Sequence, residues 1–167
     1  CDMGATYSSC FFGDNYPVPR ANKLYVDLDK HSASALRHWS LGTYVKAWRA
    51  GAMGLDWHVT RSLGKTDLAR ALSEQGDYRF PSRERSCALV RGMCADVVFV
   101  HAWAGDKQGN VLCTPPYGEG FWSGFGARVG VIATVEHLYE DIRSCPEFGH
   151  LPFPRHQVLA VCHEPVS

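Results

Sequence analysis

An α/β fold with a largely parallel sheet is the class this sequence predicts, on three observations. The run Val97-Val98-Phe99-Val100 and the run Val129-Gly130-Val131-Ile132-Ala133-Thr134-Val135 are continuous, apolar and rich in β-branched residues. Such runs read as strands buried on both faces, the signature of parallel sheets. Stretches with helical spacing alternate with the strand-like runs along the chain, as in βα units. Finally, the first run passes straight into Gly105-Asp106-Lys107-Gln108-Gly109-Asn110, a turn-forming tail. In open α/β sheets ligands bind outside the carboxyl ends of the strands, so this tail is also a candidate site edge.

The elements follow in order. Cys10-Phe11-Phe12 reads as a strand end, and Gly13-Asp14-Asn15-Tyr16-Pro17-Val18-Pro19 as a loop, because two prolines exclude a helix there. Leu24-Tyr25-Val26-Asp27-Leu28 alternates and is expected to be a short strand. Tyr44, Val45, Ala47, Trp48, Ala52 and Met53 carry a helical pattern that Ser40 or Thr43 can cap and Gly54 can stop. Trp57 to Arg61 is a second strand. Asp67 to Gln75 is a helix through Leu68, Ala71 and Leu72. Asp77 to Ser86 is polar and is expected to be a surface connection. After the Val97 strand come a loop over 114–120 and a short, glycine-broken helix from Phe121 to Arg128. Glu119 is expected to lie in that loop. The Val129 strand, one or two helical turns over 136–143, a loop over 146–154 and a last strand from Val158 to Cys162 complete the chain.

Composition narrows the function. At 167 residues, 46% hydrophobic and 20% charged, the chain is long enough for one well-packed domain and too apolar to be disordered. Its 17 basic and 17 acidic residues cancel, so no basic field recruits nucleic acid or an anionic membrane. No apolar run approaches the ~20 residues that span a bilayer, and no signal peptide is visible, so a cytoplasmic location is expected. The seven cysteines are scattered and contain no C-x-x-C, which predicts reduced thiols and no metal centre. The catalytic signatures G-x-S-x-G, G-x-G-x-x-G and H-E-x-x-H are missing. Lys65-Thr66 is no phosphate loop, because position 59 is valine where the motif needs glycine.

Four segments together carry a resemblance. Ala95-Asp96-Val97 through His101-Ala102-Trp103, followed by Asp106-x-x-Gly109-Asn110, resembles the signature of the A-type (α) subunit of class I coenzyme A transferases. Arg49-Ala50-Gly51-Ala52-Met53-Gly54-Leu55 with Thr60-Arg61-Ser62 is similar to a second motif of that subunit. Ser8-Ser9 through Gly13-Asp14-Asn15 resembles a third, and Ala127-Arg128 through Val135-Glu136 a fourth. The resemblance implies a three-layer α/β/α fold with a mostly parallel open sheet over residues 1–167. It also implies that the family's N-terminal portion is lacking and that the chain is a partial, truncated form of the domain.

The function implied is transfer of coenzyme A between an acyl-CoA and a carboxylic acid. In this family a glutamate on the B-type (β) half attacks the acyl-CoA and passes through an anhydride to a glutamyl-CoA thioester. No match to the acidic glycine-rich motif that carries it occurs here, so no catalytic residue is expected in this chain. Glu119 in Gly118-Glu119-Gly120 is only an imitation of it. By carry-over the substrate cleft is lined by Gly13, Asp14, Asn15, Ser40, Gly42, Asp106 and Asn110. Asp106 and Asn110 are also readable as the residues that hold the strand-end loop in shape, in preference to ligand contact. Leu41 stands where relatives carry a polar residue, glutamine in oxoacid transferases and glutamate in a branch that hydrolyses C–C bonds of CoA esters. Coenzyme A enters as a substrate and no cofactor is permanently bound. The expected partner is a B-type subunit or a second copy. The alternatives are a non-catalytic binding module of the same fold and a subunit of the C–C bond hydrolase.

Overall fold

The computed structural model describes residues 6–11, 23–31, 36–81, 86–149 and 152–165. It is an α/β structure of ten strands, β1 to β10, and four α-helices, α1 to α4, among those residues. They divide into two compact units: Cys1–Lys46 with Val59–Arg91, and Ala47–His58 with Gly92–Ser167.

In the first unit, β1 (Tyr7–Ser9) pairs in parallel with β2 (Leu36–His38). Between them lies α1 (Lys23–His31), a helix in place of the expected strand. Leu24-Tyr25-Val26-Asp27-Leu28 satisfies both periods, because Tyr25 and Leu28 are also three apart. The added pair Lys23–Asp27, with Nζ 2.6 Å from Oδ2, exists only at helical i,i+4 spacing. The helix α2 (Leu41–Ala52), whose residues from Ala47 on belong to the second unit, starts after Ser40, and Gly54 follows its end at φ +68°, as its sequence predicts. A three-stranded sheet has the order β3-β5-β4, from β3 (Trp57–Thr60), β5 (Ala88–Arg91) and β4 (Tyr78–Arg79). α3 (Asp67–Glu74) is capped by Thr66, whose hydroxyl accepts the Ala69 amide at 3.2 Å.

The expected surface connection at Asp77 is instead partly interior. Asp77 and Tyr78 are 5% and 1% exposed. Asp77 accepts from the Arg37 guanidinium at 3.0 Å, and the Tyr78 hydroxyl donates to the Ser62 carbonyl at 2.6 Å. Both partners are distant in sequence, so the polar look of the segment conceals its satisfied burial.

The second unit is built on a five-stranded sheet in the order β10-β8-β6-β7-β9. β6 (Val97–Asp106) is interior, as expected, and runs parallel to β8 (Gly130–Tyr139) along its whole length. β10 (Val158–His163) is parallel to β8 on the far side. The short β7 (Val111–Leu112) turns back antiparallel to β6 at Ala104–Gly105, and β9 (Pro152–Phe153) pairs antiparallel with β7. Residues 136–139, expected to be helical, continue β8 instead. The helical content that follows is one 3-10 turn, Ile142–Ser144.

One face of this sheet packs on α4 (Glu119–Phe125). Ala102, Val111, Val131, Ala133, Val135 and Phe153 form a core with Phe121. Phe121 lies 4.8 Å from Phe125 and 5.4 Å from Phe153, centroid to centroid. Gly124 admits the Phe153 ring, which comes within 2.6 Å of where a Cβ would stand. The other face departs from expectation. Val97 is 39% exposed, Phe99 76% and Trp103 36%, so β6 is buried on one face only. An apolar run fixes a strand but does not say how many layers cover it.

All six described cysteines are free thiols. Burial pushes the Cys113 thiol up to about 11 and raises that of Cys145, which also donates to the Glu147 carboxylate at 3.1 Å. Cys94 and Cys162 are exposed. Only a thiolate is alkylated at an appreciable rate. At pH 7.5, iodoacetamide is therefore expected to modify Cys94 and Cys162 at least tenfold faster than Cys113 or Cys145, as read by peptide mass spectrometry. Equal rates would contradict the burial assigned to Cys113.

Candidate functional site

The strand-end loop after β6 is organised by one carboxylate. Asp106 is 2% exposed, and both its oxygens are occupied. Oδ1 accepts the backbone amides of Gln108 and Asn110, each at 2.9 Å. Oδ2 accepts the Asn110 side-chain amide at 2.8 Å and the Ile142 amide at 3.1 Å. Asp106 also donates its own amide to the Asn110 carbonyl at 3.0 Å, which closes the turn. Gly109 sits in that turn at φ +93°, where an L side chain is strained. The spacing D-x-x-G-N is thus a complete turn chemistry. Burial alone would raise the Asp106 carboxyl, but the bonds from Asn110, Ile142 and Gln108 outweigh it and hold it below its ordinary value. These bonds hold Asp106 and Asn110 together in the turn.

Ser40, Leu41 and Gly42 lie at the start of α2, in the first unit. Ser40 is the helix cap. Its hydroxyl is 2.8 Å from that of Thr43 and accepts the Thr43 amide at 3.3 Å, while its carbonyl accepts the Tyr44 amide at 2.9 Å. Thr43 is fully buried and returns its hydroxyl to the Ser40 carbonyl at 3.1 Å. The Ser40 hydroxyl is therefore engaged in the cap. Leu41 is 61% exposed, and a Cβ on Gly42 would meet only the Ser62 hydroxyl, at 3.8 Å. The first turn of α2 thus presents an apolar side chain beside unfilled space. Gly13, Asp14 and Asn15 lie outside the described residues.

Two groups of side chains escaped the sequence reading. His101, on the exposed face of β6, has Nδ1 2.8 Å from the Thr134 hydroxyl and Nε2 2.5 Å from the Glu136 carboxylate. The register explains it: His101 is opposite Thr134, and Glu136 follows two residues on along the same face. Strand periodicity would have put Thr134 and Glu136 on one face had residues 136–139 been read as strand, but not their pairing with His101 across two strands. The second group lines an open cleft beside β6. Its lining comes from Phe99, Val100 and His101 and from the segment Cys113 through Glu119 to Phe121. Glu119, expected in a loop, is half-buried and opens α4. No group of three or more metal-ligating side chains occurs among the described residues, and no described helix is long and apolar enough to cross a membrane.

Comparison with known proteins supplies what geometry does not. A family model described as coenzyme A transferase matches residues 21–160. The chain is 29% identical over 140 residues to the A subunit of the 3-oxoadipate CoA-transferase of Pseudomonas knackmussii, covering 84% of this chain and 46% of that protein. Among solved structures, glutaconate coenzyme A-transferase from Acidaminococcus fermentans superposes with a TM-score of 0.73 at 18% identity, over 96% of this chain and 55% of that one. A single-residue variant of the decarboxylase AibA/AibB superposes with a TM-score of 0.61 at 23% identity, over 84% and 50% of the two chains. Both structures share the fold of this chain. The chain spans about half the length of the relatives it matches.

Proposed function

This chain belongs to the coenzyme A transferase family, and on that premise we propose that it is the A-type part of an enzyme that moves coenzyme A between an acyl-CoA and a carboxylic acid. The observation that carries this reading is the family match over residues 21–160, which takes in both the Arg49–Leu55 and the Ala95–Asn110 motifs. In this proposal the attacking glutamate belongs to a B-type partner. Coenzyme A is a substrate and not a resident cofactor, and the assembly works in the cytoplasm. The A-type part shapes the cleft. Gly13, Asp14 and Asn15 face the reacting acyl group, the Ser40–Gly42 turn lies beside it, and Asp106 with Asn110 fixes the loop after β6.

The division of labour follows from what the described side chains offer. Asp106 is saturated by four donors and is no nucleophile. Neither Ser40 nor Thr43 has a general base beside its hydroxyl, because each is spent on the other. Covalent catalysis therefore needs a carboxylate from outside these groups. Purified alone, the chain is expected to transfer no coenzyme A between acyl-CoA and free acids. Co-purified with a B-type subunit, it is expected to do so, measured as exchange of labelled acid into thioester.

Exposed Leu41 favours a second reading, a non-catalytic module of the same fold. A single substitution separates the two. In the active heteromer, Leu41→Gln is expected to raise kcat/KM for an oxo acid about tenfold, the worth of roughly one hydrogen bond. No exchange from either variant with any B-type partner would favour the non-catalytic module.

A further inference from the structure

Gly42 is a glycine that packing does not require. It lies in the first turn of α2, where alanine favours a helix more. Other glycines have a plain steric reason: a Cβ at Gly51 would overlap the Met93 carbonyl, and one at Gly124 the Phe153 ring. Outside its own helix, a Cβ at Gly42 would meet one described atom within 4 Å, the Ser62 hydroxyl oxygen, at an ordinary 3.8 Å. Its φ is not in the left-handed region either. A residue that departs from local preference with no packing gain points to a functional reason for the empty space.

Ser62, in the same unit, is the second observation. Its backbone is pinned on both sides. The amide donates to the Thr60 hydroxyl at 3.0 Å, and the carbonyl accepts the Tyr78 hydroxyl at 2.6 Å. Thr60 and Tyr78 are 2% and 1% exposed, so both anchors are interior. The Ser62 hydroxyl itself makes no hydrogen bond among the described residues. A donor is thus held in place beside the missing side chain of Gly42 and left unspent. The hydroxyls of Ser40 and Thr43 cannot serve in its stead, because they are bonded to each other. Leu41, exposed at the start of the same turn, adds an isobutyl group beside the gap.

We propose that the gap over Gly42 is a subsite for the carboxylic acid and that Ser62 is a substrate-binding residue. Its hydroxyl donates to an oxygen of the acid or acyl group, and Leu41 lies along an apolar chain. The class selected is a short aliphatic monocarboxylic acid. A second carboxylate set against Leu41 would lose water without gaining a partner there. The subsite rests on the transfer reading for its chemistry, but its binding is measurable without turnover.

Titration of the 167-residue chain with butyrate and with adipate, followed by residue-resolved amide NMR, tests it. Butyrate is expected to shift the Leu41, Gly42 and Ser62 signals saturably, and adipate to bind about tenfold more weakly. Ser62→Ala is expected to weaken butyrate about fivefold, the worth of roughly one hydrogen bond. Gly42→Ala is the sharper variant. Its methyl group fills the gap, so it is expected to melt no lower than wild type and yet to bind butyrate about tenfold more weakly. Adipate bound as tightly as butyrate, butyrate that shifts none of the three signals, or undiminished binding by Gly42→Ala would each overturn the proposal. So would a Gly42→Ala chain that fails to fold, since the glycine would then serve packing. The transfer reading fails separately: butyrate bound at Gly42 with no exchange of labelled acid beside any B-type subunit would sink that reading and leave the subsite.

Discussion

Replacing Asp106 by alanine is expected to lower stability by about 3 kcal/mol, a fall of roughly 10 °C in Tm. The substitution strands the amides of Gln108, Asn110 and Ile142 and the side-chain amide of Asn110 in a site that is 2% exposed. Asparagine is expected to be nearly as damaging. Each carboxylate oxygen faces two N–H donors, so an NH2 group meets donors whichever way the amide is turned. The effect has a definite pH sign. The folded carboxyl titrates below its ordinary value, so its stabilisation is complete above pH 3.8 and is lost as pH falls through the lowered folded value. Thermal melts between pH 7 and pH 2.5 check this. Wild type should lose stability more steeply than Asp106→Asn below pH 4, and parallel curves would contradict the assignment.

Gly51→Ala is expected to destabilise the same unit by about 2–3 kcal/mol through overpacking, with Gly51→Val abolishing the fold. A Cβ at position 51 would stand 1.8 Å from the Met93 carbonyl oxygen and 2.6 Å from its carbon. The nearest atoms are backbone and cannot rotate away. The segment Gly92-Met93 is also tied down on both sides. Met93 donates its amide to the Ala47 carbonyl at 3.0 Å, and Gly92 donates to that of Asp56 at 2.7 Å. The helix and this segment must therefore part for any side chain to enter. Gly54→Ala makes the contrast, since nothing lies within 4 Å of its Cβ position and only the φ of +68° opposes it. That variant should cost about 1 kcal/mol. Chemical denaturation of the three variants ranks them, and a Gly51→Ala protein as stable as wild type would refute the close approach.

These two residues show what the sequence made legible. Gly51 and Asp106 belong to motifs that resemblance picked out, and the structure gives each a mechanical reason. β6 was readable as the central strand from Val97-Val98-Phe99-Val100 alone. Its true end was not, because Gly105-Asp106 is turn-like in composition although its backbone stays in the ladder to Tyr139. Leu24–Leu28 misled because five residues fit two periods, and the deciding Lys23 lay just outside the window. β5 (Ala88–Arg91) went unread: four residues between polar flanks give little periodicity to detect. The His101–Thr134–Glu136 trio joins strands more than 30 residues apart, which no local pattern reports. Of the predicted cleft residues, Ser40 and Gly42 lie at one helix start and Asp106 and Asn110 at one strand end, each pair near in sequence. Bringing such pairs into one site is a matter of tertiary arrangement, which local sequence does not encode.

The central claim, that this chain shapes the cleft and a partner supplies the attacking carboxylate, is open to one direct measurement. The chain is incubated with acyl-CoA and a B-type subunit, the reaction is stopped in acid, and the covalent coenzyme A adduct is located by mass spectrometry of the intact subunits. An adduct on the B-type chain alone is expected. An adduct on this chain, at Glu119 or any other carboxylate, would contradict it.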